Sequence, residues 1–220
     1  MIRTAFIVTI ASAISLYSCI EQEETPDIGL NFAPYVLDQS RTYQVDSLVY
    51  DEFQDAVDTH LVYRLEQVAR LFDSTTNDQH YWIDVSYRTD STNWNYHHSY
   101  RLEKTDSRLV EISNNNSFVR LIFPVQDRVY WDVNMLNGMN TERYRYLEQE
   151  KFRASMKDSF PETVFVRQAY DTTIINRDIR WELYANNIGL VEKRMVDVLT
   201  QKDKTGGVEV HWKLIDFKTK

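Results

Sequence analysis

From Asn31 to the C-terminus, apolar and polar residues alternate with a period of two, and the alternating runs are rich in Tyr, Trp, Val, Ile and Thr. This is the pattern of strands with one dry and one wet face. HYWIDVSYR (80–88) places Tyr81, Ile83, Val85 and Tyr87 on one face and His80, Asp84, Ser86 and Arg88 on the other. After the turn TDSTN, WNYHHSYRLEK (94–104) sets Trp94, Tyr96, His98, Tyr100 and Leu102 against Asn95, His97, Ser99, Arg101 and Glu103. Two such runs around a polar turn predict a hairpin. RLVEIS and FVRLIF predict a second around NNNS (114–117), where Asn tolerates the left-handed backbone of a tight turn. IRWELYA and GLVEKRMVDVLT predict a third, with Gly189 supplying a positive φ.

TYQVDSLVY (42–50) and THLVYRLEQV (59–68) read as the first two strands, and GVEVHWKLIDF (207–217) as the last. About ten strands with short connections predict an all-β, mainly antiparallel fold: a single curved sheet closing into a barrel, a half-barrel or a two-layer sandwich. TERYRYLEQEKFRASMK (141–157) alternates as a strand in its first half, whereas its second half is rich in helix formers and predicts a short helix near 150–157.

The N-terminus follows a different rule. Arg3 precedes an uncharged, mostly apolar run, Ala5–Leu16. The run is far shorter than the roughly 20 residues a membrane-spanning helix needs and fits the core of a secretory signal. It ends at Leu16-Tyr17-Ser18-Cys19, which resembles the lipobox of bacterial lipoproteins, where the Cys becomes the lipid-bearing N-terminus. Cys19 is the only cysteine in the chain, so it has no partner for an intramolecular disulfide. The expected organisation is a signal peptide over 1–18, an acidic flexible tether over 19–31 and one β-rich domain over 32–220.

Ile20-Glu21-Gln22-Glu23-Glu24 lacks an Asp directly after Cys19, and Glu21, Glu23 and Glu24 resemble the export signal of lipoproteins displayed on the surface of Gram-negative cells. The same residues also suit a solvated spacer. The expected location is the outer membrane, by lipid anchor, with the periplasmic and outward faces both open.

The mature pattern is similar to that of a broad group of uncharacterised bacterial envelope lipoproteins. The similarity rests on RTYQVDS (41–47), FPV followed by Trp131, and YANNIGLVEKR (184–194). Asp38 and Asp127 stand where that group has a turn Gly, and Arg41 where it has Trp. The resemblance implies a β-rich fold and an envelope location, not a chemistry.

Charge narrows the partners. Loss of Arg3 with the leader lowers the basic count from 25 to 24 against 33 acidic residues, taking the net charge from −8 to −9. This argues against nucleic acid, which needs a basic patch.

Motifs narrow the chemistry. C-x-x-C, H-E-x-x-H and G-x-S-x-G are all missing from the chain, and five glycines do not assemble a phosphate-cradling loop. His97 and His98, adjacent on a strand, are expected to point to opposite faces, so no metal and no cofactor is expected.

Carboxylates are numerous enough to leave a glycosidase-like acid pair as a remote alternative. Trp82, Trp94, Tyr96 and Tyr100 are candidate ligand-facing aromatics, Trp82 because it falls on the polar face of its strand. Ser47, Ser74, Ser91 and Thr172 follow Asp in a pattern that resembles bacterial O-glycan acceptors and also suits turns. The leading expectation is a non-enzymatic, lipid-anchored binding or assembly module, with an envelope protein or a hydrophobic or glycan ligand as partner. A carrier of lipid or another hydrophobic ligand in a half-barrel cavity is the alternative.

Overall fold

The computed structural model describes residues 27–73, 78–90, 93–147, 159–202 and 204–219. The strands are β1 (Ser40–Asp51), β2 (Ala56–Asp73), β3 (Gln79–Arg88), β4 (Asn95–Lys104), β5 (Arg108–Ser113) and β6 (Asn116–Ile122). They continue with β7 (Tyr130–Asp132), β8 (Arg143–Leu147), β9 (Thr163–Thr172), β10 (Asn176–Ala185), β11 (Gly189–Gln201) and β12 (Lys204–Lys218). All twelve form one antiparallel sheet in the order β6-β5-β4-β3-β2-β1-β12-β11-β10-β9-β8-β7. Sequence neighbours are therefore sheet neighbours everywhere except between β6 and β7, and β1 pairs with β12 along its length.

The sheet curls into a nearly closed barrel, which decides among the three shapes expected from sequence. Its two edges are bridged where the Val119 amide donates to Val133 O at 2.9 Å and the Trp131 indole Nε1–H donates to Val119 O at 2.8 Å. The helix expected near 150–157 lies outside the described residues. Among those described, Leu30–Phe32 forms a 3-10 turn.

Two strands went unexpected, β7 and β9. β9 opens with Thr163, Val164, Phe165 and Val166 all buried, so both of its faces are dry there and no alternation marks it. The expected turns do hold their left-handed residues: Asn114 and Asn115 at φ 50° and 62°, Asn187 at 61° and Gly189 at 91°. Asp38 also takes a positive φ, of 64°.

Residues 28–35 cap one end of the barrel. Ile28 O accepts from the Val125 amide and Asn31 O from the Asn187 amide, so Ile28–Asn31, placed in the tether by composition, already belong to the fold. Phe32 and Ala33 are buried among Val68, Tyr81, Ile83, Leu121 and Tyr146, the main apolar core. Arg41 holds this end together: it donates through Nε to Ile188 O at 2.8 Å and through Nη2 to Pro34 O at 2.7 Å, with its guanidinium over the Tyr35 ring.

The other end is uneven. The last β2–β3 pair is Tyr63 with Arg88, whereas β1 and β2 remain paired out to Asp51 and Ala56. Short strands β3–β8 thus complete the shell only near the capped end, and the long strands continue past it as a curved wall.

Candidate functional site

Inside the shell, between the apolar core and its uneven end, lies a cavity of about 110 Å³ lined by residues from β2, β4, β5, β6, β10, β11 and β12 together with Tyr35 from the cap. Alternation explains who lines it. Arg64 and Glu66 of β2 share the inward parity of Val68, and Tyr100 of β4 that of Leu102. The lining holds six charged side chains in balance: Arg64, Arg120 and Lys193 against Glu66, Glu111 and Glu182.

They pair in two groups. Arg64 meets Glu66 at 2.8 Å, also donates to the Tyr87 hydroxyl, and lies 4.6 Å from the centre of the Trp212 ring. In the second group Arg120 Nε contacts Glu111 at 3.0 Å and its Nη1 reaches Glu182 at 4.0 Å. Lys193 Nζ holds Glu182 Oε1 at 2.9 Å, and the Tyr184 hydroxyl donates to Glu182 Oε2 at 2.7 Å.

These contacts settle the protonation states. Burial alone would raise the Glu182 carboxyl, but Lys193 and Arg120, with the Tyr184 hydrogen bond, outweigh it and hold it at about 2. Burial likewise opposes the Glu111 charge, and Arg120 overrides it and lowers that carboxyl too. Burial pushes the Tyr35 phenol up to about 12 and lifts Tyr100 and Tyr184 further, so all three stay neutral donors. The cavity is thus polar, ionised and internally neutral.

The four aromatics singled out from sequence divide between the faces. Tyr100 lines the cavity. Trp82 pairs laterally with Arg70 and Arg101 on the outer face, half-buried. Trp94 lies outside against Arg88, whose guanidinium is 4.5 Å from its ring centre. Tyr96, expected beside His98 and Tyr100, is 64% exposed on the outer face. The cause is a β-bulge: Val85 pairs with His98 but Ser86 pairs with Tyr96, so His97 is an extra residue and the parity of β4 inverts before it.

The same bulge corrects the expectation for the two histidines. They do not diverge to opposite faces; their Nδ1 atoms are 2.7 Å apart and the rings stand nearly perpendicular. Burial, then Arg64 and His97, hold the His98 imidazole below the usual histidine range.

Ser47 sits half-buried in mid-strand, with Val210 and His60 on either side. Thr172 is exposed at the end of β9. Cys19, Glu21, Glu23, Glu24, Ser74 and Ser91 lie outside the described residues. Arg64, Glu66, Glu111, Arg120, Glu182 and Lys193 were missed in the sequence because charged residues on strands read as solvated. For Arg64 and Glu66 the signal was parity: they alternate in phase with Val62 and Val68.

No family model matches the chain, and no curated protein matches it. Solved structures do resemble it. One, from Bacteroides fragilis and provisionally described as an exported protein with a YmcC-like fold, is 10% identical, covers 84% of this chain and 98% of its own, and has a TM-score of 0.46. Another, provisionally described as a lipoprotein of Parabacteroides distasonis, is 12% identical, covers 85% and 98%, and has a TM-score of 0.45. Both similarities are too distant to transfer a role.

Proposed function

We propose that the chain is a lipid-anchored envelope protein, held at the outer membrane through Cys19, whose β shell is a non-catalytic module binding a small, uncharged, hydroxyl-rich ligand. The observation that carries the binding role is the cavity: three cations and three anions, paired with one another, surround it together with Tyr35, Tyr100, Tyr184 and Trp212. Paired charges present many donors and acceptors but no net charge, which suits a neutral ligand with many hydroxyls and an aromatic face on which to rest. A lipid carrier would need a dry, apolar interior, because inserting a hydrocarbon here would desolvate six ionised groups.

Glu111 and Glu182 approach one guanidinium, the arrangement closest to a glycosidase pair. Such an enzyme needs one carboxyl kept protonated by a raised pKa, whereas both of these are lowered. This favours binding over catalysis.

The test is calorimetric titration of the full chain in detergent with neutral monosaccharides, linear polyols and a medium-chain fatty acid. Saturable binding of a hydroxylated compound is expected, lost in Ser113→Trp, which fills the cavity wall, and kept in Tyr130→Ala on the exposed side of β7. Binding of the fatty acid alone, or of none of the compounds, overturns the reading.

A further inference from the structure

We propose that His97 and His98 together bind one divalent transition-metal ion, Cu²⁺ before the others, through their two Nδ1 atoms. Adjacent residues on a regular strand send their side chains to opposite faces. Here the extra residue of the β4 bulge cancels that rule and turns both imidazoles toward one another, with Nδ1···Nδ1 at 2.7 Å. Bulges recur next to functional sites because they re-aim a side chain in this way.

The spacing selects the geometry. Imidazole nitrogens bind a first-row metal at about 2.0–2.1 Å. Two such bonds at a right angle place the nitrogens about 2.9 Å apart, and at a tetrahedral angle about 3.3–3.4 Å. The pair therefore needs to open by only a few tenths of an ångström for a tetragonal ion, the preference of Cu²⁺ and Ni²⁺, and by more for tetrahedral Zn²⁺. The order of affinities among divalent ions also puts Cu²⁺ first.

In the metal-free pair one Nδ1 donates its proton to the other. Binding requires both Nδ1 lone pairs, so that ring moves its proton to Nε2 and no proton is lost overall. The remaining positions fall to water, since the described residues contain no group of three or more His, Cys, Asp or Glu able to hold a metal. Access is open: His97 is exposed, and the pair sits where β4 has run past the end of β5 at Ser113. Tyr87 flanks His97 edge-on and Tyr100 packs by His98. The nearby Arg64 is already matched by Glu66, so its charge does not stand alone against a bound cation.

The experiment is a Cu²⁺ titration of the full chain carrying Cys19→Ser and no histidine tag, followed by calorimetry and electron paramagnetic resonance. One equivalent is expected to bind with a tetragonal spectrum and superhyperfine coupling to two nitrogens. His97→Ala and His98→Ala should each weaken binding at least about tenfold, the lower end of what even an outer-shell partner costs a metal site. His80→Ala, at the far end of the β3–β4 ladder opposite Glu103, should leave it unchanged. The spectrum of the unsubstituted pair is read without any histidine variant, so a folding defect in His98→Ala does not decide the matter. A silent titration, coupling to one nitrogen, or full affinity in folded His97→Ala overturns the proposal and leaves the pair as a hydrogen bond alone.

Discussion

Arg120 is the side chain on which the polar interior depends most. It lies between Glu111 and Glu182, and its side chain is 17% exposed while that of Glu182 is 3% exposed. Removing one partner from a buried ionic group leaves uncompensated charge, which costs more than the pair contributes. Arg120→Ala is therefore expected to lower unfolding stability by about 3–5 kcal/mol, read from the urea midpoint. The same carboxylates make the fold acid-sensitive. Their folded pKa values are depressed, so their stabilisation is present above the usual value of 4.5 and is lost as the pH falls below it, for Glu182 as it nears about 2. Glu182→Gln should remove part of that pH dependence; a urea midpoint as steep between these limits as in the parent would exclude Glu182 as its source. At this scale the sequence was least legible, because nothing local distinguishes an inward Glu on β5 from an outward one.

Hairpins were the most legible elements, since each couples alternation to a turn with its own backbone demand, as at Asn114-Asn115 and Asn187-Gly189. β9 escaped because it is dry on both faces at its start, and β7 because three residues carry no period. The β4 bulge escaped for a different reason. A one-residue insertion leaves the composition of a strand untouched and reverses the facing of everything before it, which is why Tyr96 went outward and the two histidines met. The seam between β6 and β7 depends on few bonds, so it can be probed singly. Trp131→Phe keeps most of the buried ring but leaves Val119 O without its indole donor. The expected cost is about 1–3 kcal/mol, with faster hydrogen exchange at the Val119 amide than in β1 or β12. Unchanged exchange there would show that the seam does not rely on the indole.

For the molecule as a whole, the chain enters at the capped end, where Ile28 and Asn31 are tied to the loops beyond β6 and β10 and Pro34 to Arg41 of β1. Seven residues lie between Cys19 and Asp27, and β1 alone is about 40 Å long at 3.3 Å per residue. An anchored chain would thus present its capped end to the membrane and the uneven end, with the His97–His98 pair, away from it. Radiolabelled palmitate should label the protein in cells, and Cys19→Ser should abolish the label and move the protein to the soluble fraction. Equal labelling of both would overturn the anchor.

By itself the sequence determined the all-β antiparallel class and the consecutive hairpin order, because each is written in short-range periodicity or turn chemistry. Only the tertiary structure decided that the sheet closes into a barrel, that six charged residues face a shared interior and that two histidines converge. Closure, inward facing and convergence depend on register, curvature and bulges summed over twelve strands, and no single stretch of the chain carries that sum.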